Sequence, residues 1–321
     1  MDGNSNYYTI DIRGMIEVRK YEVIRMVAMK KISLILTIIL IVSMLCSCAS
    51  TEEVQIAATT LPVYEFTSIL CQGTDLTVGR LVTENVSCLH DYTLQVGQMR
   101  MIESAQVIVL SGLGLEDFLS DALEGKEQVI DASQGIAPIC PEEEHAHDHG
   151  HDGHSHENDP HIWLSPENTK IMASNICAQL SLLYPQQETL FRENLKELTE
   201  QLDQLQSYGE ETLSDLSCRE LVTFHDGFAY FADCFDLHIL EAVEEESGRE
   251  ASARELIHLI EEVEHHSLPA IFTEKSGSVS AAGIIARETG CESYSLDMAM
   301  AGDSYFEAMY HNIDTVKEAL G

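Results

Sequence analysis

The chain has 321 residues, with 54 acidic against 18 basic side chains and a formal charge of −36. Phosphate binding draws on Lys and Arg, so this balance excludes nucleic acid as a partner, while it favours solubility and a weak attraction for cations. The length, at 45% hydrophobic residues, is ample for one large core or two lobes.

Residues 1–28 carry no clear pattern. Met29-Lys30-Lys31 then precedes an apolar run over residues 32–45, shorter than the roughly 20 residues a spanning helix needs. A short basic segment, an apolar segment and small residues at its end describe a secretory signal. Its end, Leu45-Cys46-Ser47-Cys48, resembles a bacterial lipobox, which makes residues 29–47 a lipoprotein signal peptide and Cys48 the acylated first residue of the mature chain. An ordinary signal peptide or an uncleaved anchor is the alternative. Met29 is the expected initiator, with residues 1–28 an over-called start or a cytoplasmic extension. The seven cysteines after Cys48 are scattered and contain no Cys-x-x-Cys pair, so a thiolate zinc site is not expected. One disulfide and buried free thiols both remain open.

Beyond Cys48, short apolar segments alternate with helix-length ones. Residues 54–60 read as a strand, 63–70 as a helix ending before Gly73, and 76–82 as a second strand. Residues 91–105 read as a helix, 106–111 as a strand apolar on both faces, 115–123 as a helix and 128–131 as a short strand. The alternation breaks at residues 141–159, which are polar, acidic and His-rich. From Ser165 the chain is helical again, and residues 185–216 form one long half-exposed helix with Leu190, Leu195, Leu198, Leu202 and Leu205 at helical spacing and a single glycine, Gly209. Strands then follow at 220–224, 237–243, 270–274 and 292–296, with helices at 228–234, 251–265, 279–288 and 305–320. Alternation of this kind predicts βαβ units and parallel sheets. The fold class is α/β: an N-terminal lobe over 48–184, a linker helix over 185–216 and a C-terminal lobe over 217–321. No sequence repeat is visible, but the architecture is doubled.

Six of the 14 histidines, His145, His147, His149, His151, His154 and His156, lie in the segment 141–158 among Asp148, Gly150, Asp152 and Gly153. Imidazole suits Zn, Cu, Ni and Fe, and these rings are largely neutral at pH 7. The segment has too little apolar surface to fold alone. It reads as an auxiliary metal-collecting loop, or else as an acidic insertion with no metal role.

Three isolated histidines are more specific: His90 in Leu89-His90-Asp91-Tyr92, His161 in Asp159-Pro160-His161-Ile162-Trp163-Leu164, and His225 in Thr223-Phe224-His225-Asp226. His90, His225 and Asp297 each follow a predicted strand, where open parallel sheets bind ligands. Their spread along the chain puts the expected site in the cleft between the lobes. Glu274 ends the strand Ala270-Ile271-Phe272-Thr273-Glu274 and is a candidate partner for a ligand histidine. His238, His258, His265, His266 and His311 read as ordinary core or surface residues.

With Gly227-Phe228-Ala229-Tyr230-Phe231 added to the third block, these segments resemble the signature blocks of the zinc- and manganese-specific solute-binding lipoproteins of ABC importers, over nearly all of the chain after Cys48 and in order. The resemblance implies two α/β lobes joined by a rigid helix, with the metal held between them. It implies His90, His161 and His225 as the histidine ligands and Asp297 as the C-terminal carboxylate ligand. The sequence departs from the family in carrying Leu89 where some zinc-binding members have Glu, and Met298 where Pro is frequent. Histidine at 225, where manganese-type members carry Glu, favours Zn²⁺ as transported ligand over Mn²⁺. Asp297 closes a tetrahedral site, or else it caps the following loop and water completes the coordination.

The expected function is extracytoplasmic Zn²⁺ capture at the outer face of the cell membrane, by a monomer that is lipid-anchored and delivers to an ABC permease. A manganese importer component and a surface adhesin are the alternatives. A secreted zinc hydrolase is disfavoured, because no His-Glu-x-x-His is present and a carboxylate is placed to close the site.

Overall fold

The computed structural model describes residues 54–84, 89, 92–139, 158–243, 252–275 and 280–321, together with Tyr21, Arg25, Met26, Met29, Lys30, Lys31, Ser33 and Leu34. The chain forms two compact units, Met1–Glu52 and Glu53–Gly321. The described residues of the first are helical, and no described helix is long and apolar enough to cross a membrane. Cys48, His90 and the six histidines of residues 145–156 lie outside the described residues.

The second unit contains two four-stranded parallel sheets. In the first, β1 (Ile56–Ala58), β2 (Val78–Arg80), β3 (Val107–Leu110) and β4 (Val129–Asp131) run in the order β2-β1-β3-β4. In the second, β5 (Glu220–Thr223), β6 (His238–Ala242), β7 (Ala270–Glu274) and β8 (Glu292–Leu296) run β6-β5-β7-β8. The two orders are the same permutation, so the doubling lies in topology rather than in sequence. Each sheet has one point where the strand order reverses, between β1 and β3 and between β5 and β7, and ligand crevices form at such points.

Among the described residues the second unit's α-helices are α1 (Leu61–Leu70), α2 (Val96–Ser104), α3 (Ser120–Leu123), α4 (Pro166–Leu183), α5 (Glu188–Thr212), α6 (Ala229–Cys234), α7 (Ala253–His266), α8 (Ser280–Thr289) and α9 (Tyr305–Leu320). Several bounds are tighter than the sequence pattern predicts, each for a local reason. The first strand ends at Ala58 because Thr59 and Thr60 turn their hydroxyls to Glu116 and Ser111, at 2.6 and 3.1 Å, and α1 then starts at Leu61 with Pro62 in its first turn. Helix α2 begins at Val96 rather than at 91, because Gln95 and Gln98 form a capping box. The predicted helix over 115–123 is a 3-10 turn, Asp117–Leu119, followed by the four-residue α3. The long helix α5 has 25 residues, preceded by a 3-10 turn at Pro185–Gln187.

One continuous apolar core joins the facing sides of both sheets. It takes Val107 and Val109 from β3, Phe272 from β7, Leu198, Leu202 and Leu205 from α5, and Ile313 and Val316 from α9. The outer face of each sheet has its own smaller cluster: Ala57 and Ile108 with Ile102 and Leu119 on the first, and Val222 and Ile271 with Leu259, Val263 and Ile285 on the second. Helix α5 packs against α1, α4 and α9. At its C-terminal end Gly209 lets Phe235 approach so closely that an added Cβ would lie 2.2 Å from the ring. Polar ties also cross between the sheets' elements. Glu65 of α1 accepts from Ser304 Oγ at 3.1 Å and from the Tyr305 backbone at 2.5 Å, capping α9. Arg80 Nη1 donates to Gly302 O at 2.8 Å, and Trp163 Nε1 to Met298 O at 2.7 Å.

Candidate metal centre

His225 stands two residues past the end of β5, where the strand backbone leaves the sheet. The local path is held by Phe224 N donating to Phe272 O at 2.8 Å and by Thr223 Oγ1 donating to His225 O at 3.1 Å. The adjacent strand β7 ends in Glu274, buried at 6% exposure, and its Oε2 lies 3.7 Å from His225 Nδ1. His225 and Glu274 therefore share the carboxyl edge of the second sheet at its point of reversal.

His161 is set by a different device. Asp159 Oδ1 accepts both the His161 backbone N–H and Nδ1, each at 2.8 Å. Pro160 restricts the turn between them. The 3-10 turn Ile162–Leu164 follows and buries Trp163 completely. Trp163 meets the His161 ring edge-on at 5.3 Å between centroids.

The two imidazoles converge. With each Nδ1 turned to a carboxylate, the Nε2 atoms face one another at 3.4 Å, with ring centroids 5.2 Å apart and planes at 83°. Two nitrogens at about 2.0–2.1 Å from a tetrahedral Zn²⁺ stand about 3.3–3.4 Å apart, so the spacing is that of two ligands sharing one ion. The Asp159 hydrogen bond orients the His161 ring with its Nε2 inward, and Glu274 places a negative charge on the Nδ1 side of His225. Gly227 makes the convergence possible: a Cβ there would lie 2.7 Å from His225 Cδ2, 2.7 Å from Met298 Cε and 3.0 Å from His161 Nδ1.

Asp297 is engaged otherwise. Its Oδ2 pairs with Lys275 Nζ at 3.0 Å, and its Oδ1 accepts Ala299 N at 2.8 Å, closing a turn in which Ala299 has φ of 54°. Asn312 accepts from the Asp297 backbone N–H at 2.7 Å and donates to its carbonyl at 2.7 Å. Among the described residues Asp297 does not join His161 and His225 in a three-residue cluster with ligand atoms within 4.8 Å of one another. Its present contacts are those of a loop cap. His90 lies outside the described residues, and its neighbour Leu89 is buried in the core.

Three contributors were not legible as such in the sequence. Asp159 had a signal, a carboxylate two residues before a histidine across a proline. Gly227 had a weaker one, a glycine two residues after His225. Lys275 had none, because its meeting with Asp297 depends on the pairing of β7 with β8.

The corresponding reversal point of the first sheet is occupied by protein. Glu116 Oε1 accepts from Thr59 Oγ1 at 2.6 Å and Ser111 N at 2.7 Å, and Oε2 from Gly112 N at 3.0 Å. Burial outweighs these donors and pushes its carboxyl up to about 7. The five described cysteines, Cys71, Cys177, Cys218, Cys234 and Cys291, are unpaired thiols.

The family ZnuA, described as "Zinc-uptake complex component A periplasmic", matches residues 56–319. The zinc-binding lipoprotein AdcA of Streptococcus pneumoniae strain R6 is 30% identical over 308 residues, covering 90% of this chain. The match spans 61% of that relative's length. The crystal structure of ZnuA superposes with a TM-score of 0.72 at 28% identity, covering 83% of this chain and 99% of that one. A ZnuA variant lacking residues 138–173 of its own numbering, solved with zinc bound, superposes with a TM-score of 0.69 at 27% identity, covering 83% and 97% of the two chains.

Proposed function

The chain belongs to the ZnuA family of periplasmic zinc-uptake components, and from that premise we propose that it captures Zn²⁺ outside the cytoplasm and delivers it to the permease of an ABC importer. The observation that carries this reading is the pair of Nε2 atoms at 3.4 Å, each backed by a carboxylate on the opposite ring nitrogen. Such a pair is a strong donor set for a borderline cation and a poor one for Mn²⁺, which prefers oxygen. His90 is the third histidine ligand. Asp297 is the fourth ligand, exchanging Lys275 for the metal. Closing the site in this way suits a carrier, since a zinc-bound water would be a nucleophile near neutral pH. Residues 145–156 supply an auxiliary, interchangeable set of imidazoles. Cys48 carries the lipid that holds the protein at the outer face of the membrane, as a monomer, and the name of the S. pneumoniae relative, a lipoprotein, supports that reading.

The test is zinc binding by competition with a chromophoric chelator, in the chain lacking residues 141–158. One Zn²⁺ should remain tightly bound, and His90→Ala, His161→Ala and His225→Ala should each abolish tight binding. In the complete chain His149→Ala should leave that affinity unchanged. Loss of tight binding on removing the loop alone, or equal losses from His149→Ala and His225→Ala, would reject the interlobe site.

A further inference from the structure

A second group of metal-ligating side chains stands at the other end of the second sheet. Strand β5 starts at Glu220 and ends at Thr223, two residues before His225. Glu220 is therefore at the amino edge of the sheet and His225 beyond the carboxyl edge. Helix α7 ends beside Glu220, and Glu262, His265 and His266 occupy its last turns at i, i+3 and i+4, one face of the helix. One ligand atom from each of the three lies within 4.8 Å of the others. His266 Nε2 is 3.6 Å from Glu262 Oε2, and the two imidazoles are 4.9 Å apart at 86°.

His266 repeats the construction seen at His161. Its Nδ1 lies 3.1 Å from Glu220 Oε2, a contact that orients the ring and turns its Nε2 to the Glu262 side of the helix. The helix ends here, with Ser267 in the left-handed conformation at φ of 54°, so the negative end of the helix dipole adds to the charge of Glu262 and favours a cation. Two neutral imidazoles and a carboxylate select Zn²⁺, Cu²⁺ or Ni²⁺ over Mg²⁺ and Ca²⁺, which require oxygen ligands.

We propose that Glu262, His265 and His266, with Glu220 positioning His266, form a peripheral binding site for a borderline divalent cation of the Zn²⁺ class, separate from the interlobe centre. The site shares no residue with that centre. It offers three ligands on a partly exposed face, so water completes its coordination and its ion exchanges with solvent.

The test is histidine carbethoxylation of the full chain, mapped by peptide mass spectrometry across a series of buffered free Zn²⁺ concentrations. Buffering removes any competition from other histidines. Zn²⁺ should protect His265 and His266 saturably, while the exposed His311 on α9 stays reactive. Glu262→Gln should raise the half-protection concentration by more than tenfold, and Glu220→Gln by about tenfold, the usual effect of losing a carboxylate behind a ligand histidine. His161→Ala should leave it unchanged. Equal modification of His265 and His266 with and without Zn²⁺ would overturn the proposal, leaving an ordinary His–Glu ion-pair cluster. Protection insensitive to Glu262→Gln would overturn it as well, and so would protection lost in His161→Ala.

Discussion

Lys275 determines what Asp297 does at rest. Its ammonium, on a side chain 64% exposed, is paired at 3.0 Å with a carboxylate that must change partners to bind a metal. An exposed pair of this kind contributes roughly 0.2–1 kcal/mol, so Lys275→Met should tighten Zn²⁺ binding by up to about fivefold. Asp297→Asn, which keeps an acceptor for Ala299 N, should weaken it. Trp163, the single tryptophan, lies against His161, so its fluorescence should follow binding. Unchanged affinity in both variants would leave Asp297 as a loop cap with water on the metal. Glu116 makes a different residue-scale statement. Its carboxyl is raised from 4.5 to about 7 in the folded chain, so the folded state holds that proton more tightly than the unfolded one. The stability this contributes is fully present below about pH 4.5 and is lost as pH rises through about 7. Over that window the shift amounts to roughly 3 kcal/mol. Urea midpoints of the parent should fall relative to Glu116→Gln between pH 5 and pH 8, and a flat difference would show that Glu116 is charged throughout.

At the scale of elements, the long helix α5 is the shared wall of the core, and its one glycine is a packing requirement. With Phe235 2.2 Å from any added Cβ, Gly209→Ala gains helix propensity of about 1 kcal/mol and meets an aromatic ring in a close-packed region, where overpacking costs about 1–3 kcal/mol. We expect net destabilisation, read as a lower thermal midpoint, and partial rescue by the second change Phe235→Leu. A Gly209→Ala chain more stable than the parent would show that Phe235 moves aside freely. The presence of a long helix here was legible from leucine spacing, though over the wider bounds 185–216, whereas the role of Gly209 was not, because Phe235 comes from another element.

At the scale of the molecule, the continuous core joining both sheets and the ties Glu65 to Tyr305, Arg80 to Gly302 and Trp163 to Met298 oppose hinge opening. Swinging the lobes apart would break these bonds and expose apolar core together. Metal exchange is therefore expected to involve the Asp297 turn, with Cα shifts in the rest of the described core of about 1 Å or less. Small-angle scattering curves of the metal-free and zinc-loaded chain should superimpose. A measurable compaction on zinc binding would show a hinge.

The α/β class, the order of elements and the histidine-bearing segments were determined by the sequence alone, because hydrophobic period and local turn chemistry are properties of neighbouring residues. His161 belongs to that class, while the role of Asp159, two residues away and held by the same turn, had only a local signal. The identical permutation of strands in the two sheets, the 3.4 Å meeting of His161 with His225, the place of Glu274 behind His225, the hold of Lys275 on Asp297 and the grouping of Glu220 with Glu262, His265 and His266 were decided only by tertiary structure. Each joins residues from different strands, helices or loops. Their distances follow from strand order, register and helix packing, which no local pattern encodes.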